Sequence, residues 1–505
     1  MKINRFKNTF FLNTLLIIIS GFIVKSLGLL NKIVITRLLG TEGMSIYILA
    51  FPTIILFINL AGFSLNITTS KLIAESLKTK KISPKSIIKS SIKIALKLSI
   101  IIELIYILLL RIIVFRLLKN PDLYYPLLTI VFLIPLVGVT DTLRGTFSGY
   151  KKMSTVATVN ILEQVFRILF SIIGLLIFSK YNVILSVSIT IFALTIGEAA
   201  SLVYLLIKIK NLKIDNYSVN LADKEIYKIA VPNTFSKLMG SFTYFLEPIV
   251  NTSILLFLGF SLDKINYDYT VINAYIIPLL TICSFLSTSL AVVSIPSISE
   301  NHALNNKQNI NYLINKIFMF SIVPGILISI LLYFFPKEYM NLFFATTKGS
   351  EIIKKFVFLF LIHYLQAPGI SILQAIGKSK LVFYITTFFN FLKLLLIILL
   401  SNINFINTYA IFYSIIITMT LETFVIWIFI YIKTSFVLNK QKFINLCLIS
   451  IITFSIGYIF TILSTYHFLF ISFSLSLIYL ILIWYNKIIE INSLTHSSKD
   501  LTTQI

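Results

Sequence analysis

Long, uninterrupted apolar segments recur along the whole of the 505-residue chain. A membrane-spanning helix needs about 20 apolar residues, whereas a membrane-spanning strand shows only a ~10-residue alternation of apolar and polar residues. The segments here are continuous, and 57% of the chain is hydrophobic against 12% charged. Since lipid offers no partner to backbone polar groups, the sequence predicts an all-α polytopic membrane protein.

Proline, glycine and clusters of charge divide the chain into about fourteen predicted transmembrane helices. The first apolar run resembles a signal peptide at its start but continues without a small-residue cleavage site, so we expect an uncleaved span. The predicted spans begin near residues 10, 44, 90, 123, 154, 182, 229, 270, 312, 353, 381, 406, 443 and 466.

The 43 lysines and arginines are distributed unequally between alternate loops. Most of them fall on one side of the membrane, which predicts that the N-terminus and the C-terminus are both cytoplasmic. The richest segment, residues 71–97, contains eight lysines and is predicted to form the second-to-third loop. It either anchors the topology or docks onto anionic lipid head groups, at about 1 kcal/mol per lysine near the surface.

An internal repeat is visible in the order of short motifs. Residues 21–40 align with residues 240–259, both bounded by glycine, and two later motif pairs continue the register. An offset of six spans gives parallel repeats, an architecture found in transporters. The predicted organisation is an N-terminal six-helix lobe (1–215), a C-terminal six-helix lobe (216–435), two additional helices (436–487) and a cytoplasmic tail (488–505).

Three cations interrupt the first span. Lys25 and Lys32 share one helical face with Gly21 and Gly28, at spacings of three and four residues. An ionisable group near the bilayer centre costs at least ~2.5–3.5 kcal/mol, so we expect Lys25 and Lys32 to face a cavity. Arg37 lies closer to the external end and is predicted to anchor the helix there.

The fifth span carries an acid and a base one helical turn apart. Glu163 and Arg167 have the i, i+4 spacing of an ion pair. Such a pair could join helices structurally or contact a substrate, and the sequence leaves both roles open.

Glu247 is the acid of the seventh span and precedes Pro248. In the repeat alignment it falls opposite Gly28, so we expect it to face Lys25 or Lys32. Pro248 is expected to break the helix and release backbone groups for binding. Glu198, Lys237, His363 and Lys393 are further intramembrane candidates.

Other classes of function find little support. Cys283 and Cys447 lie in apolar runs, and the four histidines are scattered, so no disulfide, metal site or cofactor is predicted. The net charge of +24 is explained by the loops rather than by nucleic acid. There is no nucleotide-binding motif and no loop long enough for a catalytic domain, so the chain is not predicted to be an enzyme.

Several motifs resemble one transporter superfamily, the multidrug/oligosaccharidyl-lipid/polysaccharide exporters, and its stage V sporulation protein B branch of lipid-linked oligosaccharide flippases. The resemblance spreads over residues 8–435. The motifs that carry it are GLLNKIVITRLLGTEGMSIYILAFP (28–52), TTSKLIAE (68–75), LRGTFSGYKKMSTVATVNILEQVFRI (143–168), YFLEPIV (244–250) and SIPSISE (294–300).

The resemblance implies a fourteen-helix, two-lobed transporter that moves an undecaprenyl-diphosphate-linked peptidoglycan precursor outward for the spore cortex. Lys25 matches a basic position of the related lipid II flippase, and a second basic position falls on Asn31, next to Lys32. A monomer is expected. A polysaccharide or teichoic-type glycolipid exporter, a drug/cation antiporter of the same superfamily and a structural scaffold remain as alternatives; the energy source is not predicted.

Overall fold

The structure is a computed structural model that describes residues 2–215, 222–463 and 467–488. In these residues it contains helices joined by short connections and no strand, which confirms the all-α prediction. The α-helices are α1 (Lys2–Gly62), α2 (Leu65–Thr79), α3 (Pro84–Arg111), α4 (Tyr124–Leu128), α5 (Ile134–Gly149), α6 (Met153–Phe178), α7 (Val183–Lys210), α8 (Ala222–Phe257), α9 (Leu262–Thr270), α10 (Ile277–Leu280), α11 (Ser284–Ala303), α12 (Lys307–Phe334), α13 (Pro336–Phe344), α14 (Ser350–Phe356), α15 (Gln366–Ala375), α16 (Ser379–Ser401), α17 (Ala410–Thr434), α18 (Lys440–Leu463) and α19 (Phe468–Tyr485).

Many of these helices are long and apolar enough to cross a membrane. Over the described residues there are 9, or up to 11 if each of two bent helix pairs is one span. The bent pairs are Pro121–Phe132 with Ile134–Gly149, at 43°, and Ser350–Phe356 with Leu359–Ala375, at 67°. The chain is therefore a multi-pass membrane protein, and the predicted number of about fourteen spans exceeds this count.

Helix α1 explains part of that difference. Its 61 residues would extend about 90 Å at 1.5 Å per residue, roughly three times the thickness of the hydrocarbon core. The helix is interrupted at Gly40, whose backbone has φ 65° and ψ −169°. Glycine accepts this positive φ without the steric penalty of a β-carbon. The break separates the two spans predicted near residues 10 and 44.

The lysine-rich segment 71–97 is not the loop that the sequence suggested. Helix α2 covers its first part and α3 begins at Pro84, which leaves only residues 80–83 between them. The reason is that apolar residues recur here at helical spacing and find a buried face. Leu72, Ile73, Ile87 and Ile88 pack in one core cluster with residues of α8.

Helix α8 also differs from the prediction at Pro248. It continues through Pro232 and Pro248 from Ala222 to Phe257. Proline removes one backbone donor, but membrane helices tolerate this loss when neighbouring groups compensate. Pro248 therefore does not end the helix, and the expected break is wrong.

The described helices belong to two compact units. The first comprises residues 1–275 and 386–415, and the second comprises residues 276–385 and 416–505. The predicted boundary between the lobes lies between residues 215 and 216, next to residues 216–221, which are outside the described residues. The predicted tail from residue 489 onward also lies outside them, and the lobe organisation stays a prediction.

Candidate functional site

Helix α1 packs against α6 through small and polar residues. A β-carbon added to Gly28 would lie 3.6 Å from Nε2 of Gln164, which is itself buried. Three residues further along, Asn31 is buried and accepts a hydrogen bond at 3.1 Å from the Ser171 hydroxyl. Asn31 thus links α1 to α6, and its predicted contact with substrate stays a prediction.

The two lysines of the same helix have different environments. Lys25 is exposed at the surface of the first unit, whereas Lys32 is half-buried. The Thr36 hydroxyl donates to the Lys32 carbonyl at 2.7 Å, within the helix. Arg37 is exposed, one turn after Ile33. That Lys25 and Lys32 face a substrate cavity stays a prediction.

Arg144, on α5, lies at the centre of a buried charged cluster in the first unit. Its Nη2 donates to Glu163 Oε2 on α6 at 2.8 Å and to Glu198 Oε2 on α7 at 3.3 Å. Arg167 pairs with the other oxygen of Glu163, and the Thr140 hydroxyl donates to Glu198. The cluster thus joins three helices.

Ion pairs link the cations and the acids of this cluster. Two guanidinium groups, on Arg144 and Arg167, face two carboxylates, on Glu163 and Glu198. The predicted Glu163–Arg167 pair is present, but Arg144 shares the same carboxylate, which favours a structural role over a substrate contact. Sequence reasoning missed Arg144, although it lies in the LRGTFSGYKK part of a motif that carried the resemblance.

Glu247 has a partner that the repeat alignment did not suggest. Its buried carboxylate forms an ion pair with the Lys393 amine on α16, rather than with Lys25 or Lys32 as expected. One turn after Glu247, Asn251 is 1% exposed, and its side-chain amide has no hydrogen-bond partner among the described residues. Lys393 had been named only as a further candidate, since nothing local in the sequence relates residues 146 positions apart.

The second unit contains a shorter polar chain beside the bent helix pair. Gln366 donates to Glu422 Oε2 on α17 at 2.8 Å, and its amide oxygen lies 3.1 Å from Nδ1 of His363. A carboxylate only accepts, so the amide nitrogen must face Glu422 and the amide oxygen must face His363. The Trp427 indole donates to the Leu365 carbonyl at 3.1 Å, which ties α17 to the bend.

The described residues contain no candidate metal site. Among the described side chains there is no group of three or more His, Cys, Asp or Glu that could hold a metal ion. The intramembrane acids described above engage cations or amides instead.

The sequence of residues 10–302 matches the family model described as "Polysaccharide biosynthesis protein". This match covers more than half of the 505 residues. The chain belongs to this family. Membership in this family agrees with the resemblance that the sequence motifs predicted, and the apolar helices make the chain a multi-pass membrane protein.

Two bacterial proteins and one solved structure are similar to this chain. Stage V sporulation protein B of Bacillus subtilis (strain 168) is 28% identical over 383 residues, 74% of each chain. Lipid II flippase MurJ of the same organism is 22% identical over 401 residues, 73% of each chain. A solved structure of the lipid II flippase MurJ in an inward closed conformation matches with a TM-score of 0.68 at 16% identity, covering 94% of this chain and 99% of that one.

Proposed function

We propose that the protein is a flippase that moves an undecaprenyl-diphosphate-linked peptidoglycan precursor, or a related oligosaccharide lipid, outward across the cytoplasmic membrane by alternating access. Its role would be in spore-cortex synthesis. Two observations support the proposal together: the family match, with relatives named as a sporulation protein and a lipid II flippase, and the pair of lysines on α1.

The chemistry of such a substrate requires cations inside the membrane. A lipid-linked diphosphate carries two or more negative charges, which cannot cross hydrocarbon without a compensating path. Arg144, Arg167 and Lys393 are already matched by Glu163, Glu198 and Glu247. Lys25 and Lys32 lie on one face of α1, and Lys25 matches a basic position of the related lipid II flippase, so they are the proposed contacts for the diphosphate.

The ion pairs of the intramembrane acids weigh against a drug/cation antiporter. A cationic substrate that competes with H⁺ or Na⁺ needs accessible carboxylates. Glu163, Glu198 and Glu247 each engage an arginine or a lysine instead. The family description also fits a polysaccharide or teichoic-type glycolipid, and this second substrate class differs from the first in its glycan rather than in its phosphate.

Reconstitution in liposomes tests the proposal directly. Labelled lipid II and a labelled teichoic-type lipid are supplied in separate preparations, and accessibility of the label at the opposite leaflet is followed. We expect Lys25→Ala to reduce translocation about 10- to 100-fold, the range for one hydrogen bond to a charged group. Lys25→Arg should retain most activity because it keeps the charge.

Arg37→Ala is the matched control, since it removes an exposed cation from the same helix. It should leave translocation within about twofold of the unchanged protein, because its predicted role is interfacial. Normal translocation by Lys25→Ala would refute the role of the lysine, and movement of neither lipid would refute the proposed substrate.

A further inference from the structure

Eight lysines of α2, α3 and the turn between them are exposed to the outside of the first unit. Glu75 is the one acid within residues 71–97, and its carboxylate lies 3.9 Å from the Lys71 amine. Asp215 lies beside Lys85, whose backbone N–H donates to the Asp215 carbonyl at 3.4 Å. The exposed lysines are Lys71, Lys78, Lys80, Lys81, Lys85, Lys89, Lys93 and Lys97. The proposed transport of a glycolipid through the membrane interior does not explain why these lysines lie on the outer surface.

The four lysines of α3 form a row that winds around the helix. Lys85, Lys89, Lys93 and Lys97 follow one another at intervals of four residues, so each is a neighbour of the next while every step turns about 40° around the axis. The row extends about 18 Å along the helix axis at 1.5 Å per residue. Neighbouring ammonium groups of one sign repel each other, which favours a shared anionic counterpart.

The side of α3 that carries Lys93 and Lys97 continues as an apolar surface. Ile100, Leu104 and Leu108 lie in line with these two lysines at helical spacing and are exposed by 57%, 58% and 76%. Large apolar side chains exposed on a membrane helix face acyl chains. Lys93 and Lys97 therefore lie on the side of α3 that faces lipid, not on the side that faces the protein interior.

Distances along α3 give the depth of each lysine. Residues Ile112–Leu117 continue α3 as a π-helix, so the distance from Lys97 to Arg116 along the axis is at most about 28 Å at 1.5 Å per residue, close to the ~30 Å of the hydrocarbon core. Lys97 then lies at the boundary of the core and Lys93 about 6 Å above it, within a head-group layer of roughly 5–8 Å. Lys80 and Lys81 precede Pro84 and lie beyond that layer.

The row is held by a rigid support. Leu72 and Ile73 of α2 pack with Ile87 and Ile88 of α3 in a buried cluster. The Thr69 hydroxyl donates to Ser91 at 3.2 Å between the same two helices. A preorganised site of this kind loses little freedom when it binds.

We propose that the row Lys85–Lys97 is a binding site for anionic phospholipid of the predicted cytoplasmic leaflet. The phosphate head group contacts Lys93 and Lys97, and the acyl chains lie along Ile100 and Leu104. Lys85 and Lys89 add attraction from outside the head-group layer. The site concerns the surrounding membrane and is independent of which glycolipid is transported.

Native mass spectrometry of the full chain released from nanodiscs of phosphatidylglycerol and phosphatidylcholine tests this site. The unchanged protein is expected to retain phosphatidylglycerol in excess over the nanodisc composition. Lys93→Gln with Lys97→Gln should weaken this retention about fivefold per lysine at physiological salt. Size-exclusion chromatography verifies that the variants remain folded, which is expected for exposed positions.

Two control variants remove the same charge elsewhere. Lys80→Gln with Lys81→Gln changes the same patch outside the head-group layer and should have the smaller effect. Lys348→Gln with Lys355→Gln removes exposed lysines of a different part of the chain and should have none. Unchanged retention in the Lys93/Lys97 variant, or equal losses in all three variants, would overturn the proposal.

Discussion

Replacing Arg144 by methionine removes the cation that joins α5, α6 and α7. The side chains involved are largely buried: Arg144 is 14% exposed, Glu163 17% and Glu198 8%. After the replacement Glu163 keeps Arg167 as its partner. Glu198 keeps only the Thr140 hydroxyl among the bonds described, so one carboxylate loses its cation.

The expected loss of stability follows from the one carboxylate that loses its cation. Breaking a buried ion pair by removing one partner typically costs about 3–5 kcal/mol, because the remaining charge is left desolvated. We expect the lower end, about 3 kcal/mol, since Glu163 remains paired. By contrast, Lys228 and Glu225 are 74% and 38% exposed at a separation of 3.7 Å. Breaking this surface pair should cost about 0–1 kcal/mol.

Thermal stability in detergent measures the difference. Monodisperse protein remaining after heating is quantified by size-exclusion chromatography for Arg144→Met and for the matched control Lys228→Met. We expect the first variant to lose monodispersity at a temperature several degrees lower, and the control to behave as the unchanged protein. Glu198→Gln added to Arg144→Met should recover part of the loss, because it removes the uncompensated charge.

Equal behaviour of Arg144→Met and Lys228→Met would refute the reasoning. It would mean that water reaches the cluster and screens its charges. A failure of Glu198→Gln to improve Arg144→Met would show instead that the loss arises from packing rather than from charge.

Two further predictions concern helix contacts. Lys393→Met should strongly reduce the thermal stability of the first unit because it leaves Glu247 buried without its cation, and adding Glu247→Gln should restore much of it; chromatography after heating compares the single and double variants. Gly145→Ala should lower expression of folded protein, because the new β-carbon would lie 2.4 Å from the Asn66 carbonyl oxygen. Gly240→Ala is the matched control: its β-carbon meets nothing within 4 Å, so this variant should be neutral or stabilised by up to ~1 kcal/mol. A stable Gly145→Ala variant would contradict this.

Local sequence signals predicted the membrane helices well. Apolar run length identified the polytopic class, and glycine and charge placed a boundary near Gly40, where α1 is broken. The same signals misassigned residues 71–97: the lysines predicted a loop, whereas the apolar residues between them recur with a helical period. In this segment the charge predicted a loop and the spacing of apolar residues predicted a helix. The segment is helical because its apolar residues are buried against α8.

The candidate site was only partly accessible from sequence. Glu163 and Arg167 could be paired because they lie one turn apart on one helix. Arg144 and Lys393 could not be assigned partners, since the carboxylates that bind them come from other helices. The repeat alignment proposed a partner for Glu247 from register alone, and register does not specify which neighbouring helix supplies the cation.

The sequence by itself determined that this chain crosses the membrane many times as helices, because hydrophobic length and helical period are local properties that lipid enforces on each segment. It also placed Lys25 and Lys32 on one face of α1. Only the tertiary structure decided which intramembrane charges neutralise each other. Pairing within a low-dielectric interior depends on separations of a few ångströms between helices, and these separations are set by packing rather than by order along the chain.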